Sequence, residues 1–171
     1  MGHLTMAFSE AKWTSGGDHE ALVPERPEAA VHVVDDDESL RNAIRRVLQL
    51  AGFEVRTYAS AGEFLLDRPD HMRGCLLLDV RMPGPTGLDL QESLARRGAV
   101  LPIIFLTGNG DLPMCVQAMR GGAVDFQSKP APRDVLLAAV QRAMRRGAEL
   151  LAERDLVQRC LLYTSPSPRD S

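Results

Sequence analysis

The chain has 171 residues, of which 44% are hydrophobic and 25% are charged, so it can bury one core of ordinary size. Its formal net charge is -3, which provides no global positive field to hold nucleic acid or an anionic membrane. There is no apolar stretch near the roughly 20 residues that span a bilayer and no signal-peptide pattern, so we expect a cytoplasmic protein without a membrane partner.

The two ends of the chain differ in composition from its middle. Residues 1–29 mix Gly, Pro, His and charged residues without periodicity, so we expect a disordered leader, or upstream sequence read from too early a start. Residues 160–171 (CLLYTSPSPRDS) look like the in-frame translation of a transposase-type sequencing adapter, and a genuine Ser/Pro-rich tail is the alternative. We therefore leave residues 160–171 out of the fold prediction.

Between these ends, five apolar runs alternate with amphipathic segments. The apolar runs are predicted to be strands at residues 31–34, 54–58, 75–79, 102–107 and 124–129. The segments between and after them have apolar residues at three- and four-residue steps, which predicts helices. This alternation indicates right-handed βαβ units and an α/β fold with a doubly wound, five-stranded parallel sheet that has helices on both faces. We assign this domain to residues 30–146 and a helical linker to residues 147–159.

Local signals mark where several helices begin and end. Asp37 or Ser39 can cap the first helix. Ser60 and Thr86 each stand three residues before an acidic residue, which fits a capping box at the second and third helices. Pro69 is expected to stop the second helix. Three cysteines have no metal-ligand spacing, so we expect free thiols.

Four of the five strands end in side chains that can react or bind a ligand. Asp35 and Asp36 follow the first strand, Asp79 ends the third, and Thr107 and Lys129 end the fourth and fifth. Because the carboxyl ends of parallel strands meet at one edge of a sheet, we expect these side chains to gather there. Crowded carboxylates repel unless a cation neutralises them, and oxygen ligands of this kind suit Mg²⁺. The sequence thus predicts a metal site with Asp79 as the candidate reactive residue.

Each of these residues also has a simpler structural interpretation. Asp79 could initiate a turn, and the acidic run after the first strand could cap a helix, which is all we expect of Asp37. Thr107 could satisfy a loop amide or bond a phosphoryl oxygen arriving on Asp79. Lys129 could be a surface lysine, but only two of the 20 basic residues are Lys, which favours a selected compact ammonium.

Four motifs in order resemble the receiver (CheY-like) domain of two-component response regulators. They are VVDD at residues 33–36, LLDVRMPG at 77–84, LT at 106–107 and SKP at 128–130. The resemblance covers about residues 31–146 and implies the flavodoxin-like receiver fold. Within that family the chain is similar to the FixJ/NarL-like branch, whose receivers usually precede a LuxR-type helix-turn-helix. The resemblance therefore implies a chain truncated before its output domain, with DNA bound only through that missing C-terminal domain.

The resemblance also implies a role for each matching residue. Asp79 would accept a phosphoryl group from a phosphohistidine of a sensor histidine kinase. Asp36, Asp79 and the main-chain carbonyl of Arg81 would ligate Mg²⁺, and Asp35 would act through water. Lys129 would pair first with Asp79 and then with the phosphoryl group. The implied activity is self-catalysed phosphoryl transfer and autodephosphorylation, not enzymatic turnover.

Two further residues are implied to carry the switch. Thr107 would bond a phosphoryl oxygen, and Phe126 falls where many receivers have a Tyr coupled to that Thr. Phe lacks the hydroxyl of Tyr, so only burial of the ring could change here. The expected outcome is homodimerisation on phosphorylation and, in the full-length protein, control of transcription.

Two other classes of function compete with this interpretation. A stand-alone receiver would act by docking on a partner protein. A hydrolase of the haloacid dehalogenase group also uses an Asp after a strand, but it needs a second Asp two residues further on, where this chain has Arg81. Neither a GxxxxGK[ST] loop nor a Ser-His-Asp order supports another enzyme.

Overall fold

The computed structural model describes residues 29–108, 112–129 and 131–164. Five strands form the sheet: β1 (Ala30–Val34), β2 (Val55–Tyr58), β3 (Gly74–Asp79), β4 (Ile103–Thr107) and β5 (Asp125–Ser128). Five α-helices accompany them: α1 (Glu38–Leu50), α2 (Ala61–Leu66), α3 (Gly87–Arg97), α4 (Leu112–Arg120) and α5 (Arg133–Thr164). Pro130 of the SKP motif, the leader up to residue 28 and residues 165–171 lie outside the described residues.

The sheet is parallel throughout, and its strand order is β2-β1-β3-β4-β5. This order confirms the predicted doubly wound α/β fold. Side chains of β3 alternate between the two faces: Leu76 and Leu78 belong to one apolar cluster, whereas Cys75 and Leu77 belong to the other. Both clusters are buried because helices cover both faces of a parallel sheet. The cysteines within the described residues are free thiols, as predicted.

Most of the predicted helix signals operate as expected. Asp37, not Ser39, caps α1 by accepting the main-chain N–H three residues on at 3.2 Å. Thr86 and Asp89 form the predicted capping box at the start of α3. At α2, Ser60 caps the helix, but the carboxylate of Glu63 bonds the N–H of the residue before Ser60 and not that of Ser60 itself. Beyond α2 there is an unpredicted 3₁₀ turn, Pro69–His71, because a Pro also suits the first position of a helical turn.

One polar side chain, His32, lies inside β1 and is almost fully buried. It lies against the rings of Tyr58 and Phe64, and its Nε2 is 3.2 Å from the main-chain carbonyl of Arg73. Because a carbonyl oxygen only accepts, Nε2 is the protonated nitrogen. Burial lowers the pKa of His32 to about 4, so the ring is neutral near pH 7 and acts as a core residue.

Helix α5 continues without a break from the predicted domain into the segment assigned to a helical linker. Leu151 is buried and Arg154 is half-buried, although both fall in the segment assigned to a linker. The helix also continues through residues 160–164, which we had left out of the fold prediction. Among the described residues, no helix is long and apolar enough to cross a membrane.

The approach of α5 to β3 depends on two glycines. A Cβ on Gly147 would lie 2.3 Å from the carbonyl oxygen of Gly74, and that contact is with backbone, which cannot rotate away. Gly74 itself has a φ of +115° and adjoins the main chain of Ala30. The end of the domain is therefore fixed by a backbone contact that only Gly permits.

We predict that Gly147→Ala lowers the free energy of unfolding by about 1–3 kcal/mol, because the added methyl group overpacks this contact. The loss should appear despite the better helix propensity of Ala. Gly62→Ala in α2 is the control, since its Cβ would meet only the hydroxyl of Ser60 at 3.8 Å. Urea denaturation followed by circular dichroism measures both, and equal effects of the two substitutions would contradict the packing argument.

Candidate functional site

Three strand ends meet in one ion-pair cluster at the carboxyl edge of the sheet. The Lys129 ammonium lies 3.1 Å from Oδ2 of Asp35 and 3.2 Å from Oδ2 of Asp79. Lys129 follows β5 directly, and its N–H extends the pairing with β4 by donating to the carbonyl of Thr107 at 2.8 Å. Its side chain therefore reaches from β5 past β4 to the ends of β3 and β1.

A third carboxylate completes the cluster. Oxygens of Asp35, Asp36 and Asp79 all lie within 4.8 Å of one another. Asp35 is fully buried and Asp79 nearly so, whereas Asp36 is exposed. The group is therefore open to solvent on the side of Asp36.

The charges of these residues shift one another's proton affinity. Burial and the neighbouring Asp35 carboxylate raise the pKa of Asp79 to about 6, against the opposing effect of Lys129 and the Arg81 N–H. Burial disfavours the charged form of Lys129, but Asp35 and Asp79 outweigh burial and raise its pKa. A single ammonium therefore does not fully compensate the crowded carboxylates.

Main-chain bonds hold the two buried carboxylates in place. Oδ1 of Asp35 accepts the N–H of Asp37 at 2.9 Å, and Oδ1 of Asp79 accepts the N–H of Arg81 at 3.2 Å. The loop after Asp79 then turns back, so that a Cβ on Gly87 would lie 2.3 Å from the Asp79 carbonyl oxygen. The start of α3 therefore packs directly against the residue at the centre of the cluster.

The two residues expected to act as a switch lie on the adjoining strands β4 and β5. Thr107 is buried, and its hydroxyl donates to the carbonyl of Gly108 at 3.1 Å. Phe126 is half-buried on β5, where it pairs in register with Phe105 and packs against the core. On its outer side it lines a depression with residues of α4, including Val116 and Met119.

The structure thus gathers Asp35, Asp36, Asp79 and Lys129 into one group, and the main chain of Thr107 bonds that of Lys129. The roles implied for these residues, for the Arg81 carbonyl and for Phe126 all stay predictions.

Two residues of the site were missed by the sequence interpretation. Arg41, in the first turn of α1, donates from Nη1 to the main-chain carbonyl of Asp35 at 2.7 Å. Gly87 lies inside the capping box of Thr86 and Asp89, which gives it no signal of its own. A signal for Arg41 existed, because a cation near a helix N-terminus opposes the helix dipole and needs a specific partner. No periodic pattern could have shown the close approach at Gly87.

Comparison with known proteins agrees with this geometry. Residues 31–141 match the family model described as "Response regulator receiver domain". The chain belongs to this family, whose members are phosphoacceptors and not classical enzymes. Such a regulator is expected to have a sensor kinase as partner.

The relatives include regulators whose names describe varied processes. Nodulation protein W of Bradyrhizobium diazoefficiens is 42% identical over 159 residues, which are 92% of this chain and 69% of that protein. Transcriptional regulatory protein FixJ of Azorhizobium caulinodans is 42% identical over 125 residues, 73% of this chain and 59% of that protein. A low-resolution structure of the response regulator StyR superimposes with a TM-score of 0.76 at 41% identity, covering 84% of this chain and 73% of that one.

We predict that Asp79→Asn raises the free energy of unfolding by about 1–3 kcal/mol in metal-free buffer at pH 7.5, because it removes one charge from a repelling cluster. Since the pKa of Asp79 is near 6 in the folded chain and 3.8 ordinarily, the gain should grow as pH rises from about 4 to about 6. Lys129→Met should instead lower the free energy of unfolding, since it leaves the carboxylates without their cation. Denaturation in the presence of EDTA measures the free energy of unfolding of both variants. If both substitutions lowered it by similar amounts, the proposed repulsion between the carboxylates would be contradicted.

Proposed function

We propose that Asp79 accepts a phosphoryl group from a sensor histidine kinase in a reaction that requires Mg²⁺. The observation that carries this proposal is the Lys129 ammonium within 3.2 Å of both Asp35 and Asp79. A buried carboxylate that is already paired with a mobile point charge can exchange part of that pairing for an incoming anion. The match to the receiver family supports the same chemistry.

The donor set fits a divalent cation. Three carboxylates and one ammonium leave an excess of two negative charges, and hard oxygens within 4.8 Å of one another suit Mg²⁺. We propose that Asp36, Asp79 and the Arg81 carbonyl hold the ion and that Asp35 acts through water. When bound, Mg²⁺ would offset the charge of the phosphoryl oxygens.

The transfer itself needs little from the protein beyond position and charge. An oxygen of Asp79 forms a bond to phosphorus while the phosphorus–nitrogen bond of the phosphohistidine breaks, and the imidazole keeps the electron pair and takes a proton from solvent. Lys129 then turns its ammonium toward a phosphoryl oxygen. The Thr107 hydroxyl exchanges its bond to Gly108 for one to the phosphoryl group. Attack of water on phosphorus then breaks the bond to the Asp79 oxygen, which releases inorganic phosphate and restores the carboxylate.

The consequence of phosphorylation would be a change of surface. Movement of Thr107 next to β5 would alter the burial of Phe126 and with it the face formed by α4 and β5. We propose that this change promotes homodimerisation in the cytoplasm. In the full-length protein, a LuxR-type C-terminal domain beyond residue 159 would convert it into control of transcription, with α5 as the helical link.

We predict that Mg²⁺ and a small acyl-phosphate donor label the chain once, at Asp79. Asp79→Asn should abolish the labelling, whereas Glu92→Gln, an exposed carboxylate paired with Arg96, should retain it. Intact-mass measurement with hydroxylamine treatment, which cleaves acyl phosphates, identifies the adduct. Undiminished labelling of Asp79→Asn would place the acceptor elsewhere.

We predict that Lys129→Arg retains Mg²⁺ binding but loses most phosphorylation-dependent dimerisation, because a planar guanidinium cannot occupy the position of a compact ammonium in this buried cluster. Calorimetric titration with Mg²⁺ and light scattering before and after acyl-phosphate treatment measure the two properties. The reverse exchange at the exposed start of α5, Arg133→Lys, is the control. Normal dimerisation of Lys129→Arg would refute the role of the ammonium.

A further inference from the structure

Arg41 bonds the acidic turn between β1 and α1, residues 35–37, through both its main chain and its side chain. Its main-chain N–H donates to the carbonyl of Asp37 at 2.9 Å, which forms the first turn of α1. Its guanidinium reaches back in the opposite direction and donates to the carbonyl of Asp35 at 2.7 Å. The segment from Asp35 to Asp37 is thus held between two bonds from one residue.

The bond from Arg41 fixes the main-chain carbonyl of Asp35, which the other contacts of Asp35 do not hold. The N–H of Asp35 is held by the carbonyl of Tyr58, and its carboxylate oxygens are held by Asp37 and Lys129. These contacts fix the end of β1 and one side chain. The carbonyl of Asp35 belongs to the peptide unit that leads to Asp36. Its orientation sets the direction in which the exposed Asp36 side chain leaves the backbone.

The chemistry of the bond leaves the carboxylates available. Lys129 pairs directly with oxygens of Asp35 and Asp79, whereas Arg41 bonds a main-chain carbonyl. A charge-assisted bond of this kind is stronger than one between neutral groups. Arg41 is therefore able to fix the acidic turn without occupying any carboxylate oxygen that a cation would need.

We propose that Arg41 is a positioning residue for the cation site: it orients the peptide between Asp35 and Asp36 so that the Asp36 carboxylate faces Asp79. This inference rests on the proposed function, because it concerns the residues proposed to hold Mg²⁺. It assigns Arg41 no contact with the ion or with the phosphoryl group.

The sign of the effect on Mg²⁺ affinity separates positioning from simple electrostatics. Arg41 is a cation close to a cation site, so removal of its charge alone would tighten Mg²⁺ binding. Loss of the bond to Asp35 would instead free the acidic turn and weaken binding. Residues that orient metal ligands through hydrogen bonds commonly change metal affinity by 10- to 100-fold.

The test is calorimetric titration of the full chain with MgCl₂. Arg41→Met, which lacks both charge and donor, should raise the Kd about tenfold. Arg41→Gln should raise the Kd similarly, since the Gln side chain is too short to reach the Asp35 carbonyl. This second variant keeps a polar group at the half-buried position, so it serves as the test if Arg41→Met does not fold. Arg41→Lys, which keeps the charge and a donor, should restore affinity to within about threefold of the original. Arg45→Met, one turn further along α1, removes the same charge and should leave the Kd unchanged or slightly lower.

Thermal unfolding in EDTA establishes that each variant is folded at the titration temperature. Unchanged or tighter Mg²⁺ binding by the folded Arg41→Met or Arg41→Gln variant would overturn the positioning role while leaving the proposed metal site intact. Absence of Mg²⁺ binding by the original chain, or undiminished binding by Asp36→Asn and Asp79→Asn together, would overturn the proposed site and this inference with it.

Discussion

The carboxyl edge of the sheet depends on one ammonium. Lys129 lies about 3 Å from two carboxylates at the ends of different strands, and these carboxylates are fully buried (Asp35) or nearly so (Asp79). Removing one partner of such a group leaves an uncompensated buried charge, which typically costs about 3–5 kcal/mol. The strand order makes the contact geometrically demanding, since β4 lies between β5 and β3. A long, narrow side chain with a compact head meets this demand, which explains a Lys here in a chain where only two of the 20 basic residues are Lys.

The backbone around the cluster is as constrained as its side chains. Asp79 is followed by a loop whose return packs Gly87 against the Asp79 carbonyl, and Asp35 is followed by a turn held by Arg41. Both loops thus lead straight into helices, α3 and α1, so each carboxylate lies between a buried strand and a helix start. Sites built on such elements keep their geometry more precisely than sites on long loops. This arrangement explains how a small number of backbone contacts keeps the three carboxylates of Asp35, Asp36 and Asp79 close together.

The sequence predicted those features that depend on local pattern. Each strand is an apolar run, and the position of Asp35, Asp79, Thr107 and Lys129 at strand ends followed from that pattern and from the rule that parallel strands share an edge. Features that depend on contacts between distant parts of the chain were not predictable in this way. The approach of Gly147 to Gly74 is a backbone contact of this kind, and it leaves no periodic trace. Gly147 lies one residue beyond the predicted end of the domain. The bond from Arg41 to the Asp35 carbonyl spans only six residues, and there the sequence could mark the cation but not its main-chain acceptor.

The remaining charge imbalance connects stability with activity. A sequence selected for stability alone would replace one of the three carboxylates, because their repulsion raises the pKa of Asp79 and weakens the folded state near neutral pH. The chain retains all three, and in the part that the structure describes the ammonium of Lys129 pairs with two of them. Under the proposed function the excess is what a divalent cation neutralises, so ligand binding stabilises the fold and prepares the site in the same step. A phosphoryl group then adds negative charge beside Thr107, and Lys129 can follow that charge. Its present ion pairs link the ends of β1, β3 and β5. Any movement of that ammonium is therefore transmitted to three strands at once, which gives a local chemical event a route to the surface of α4 and β5.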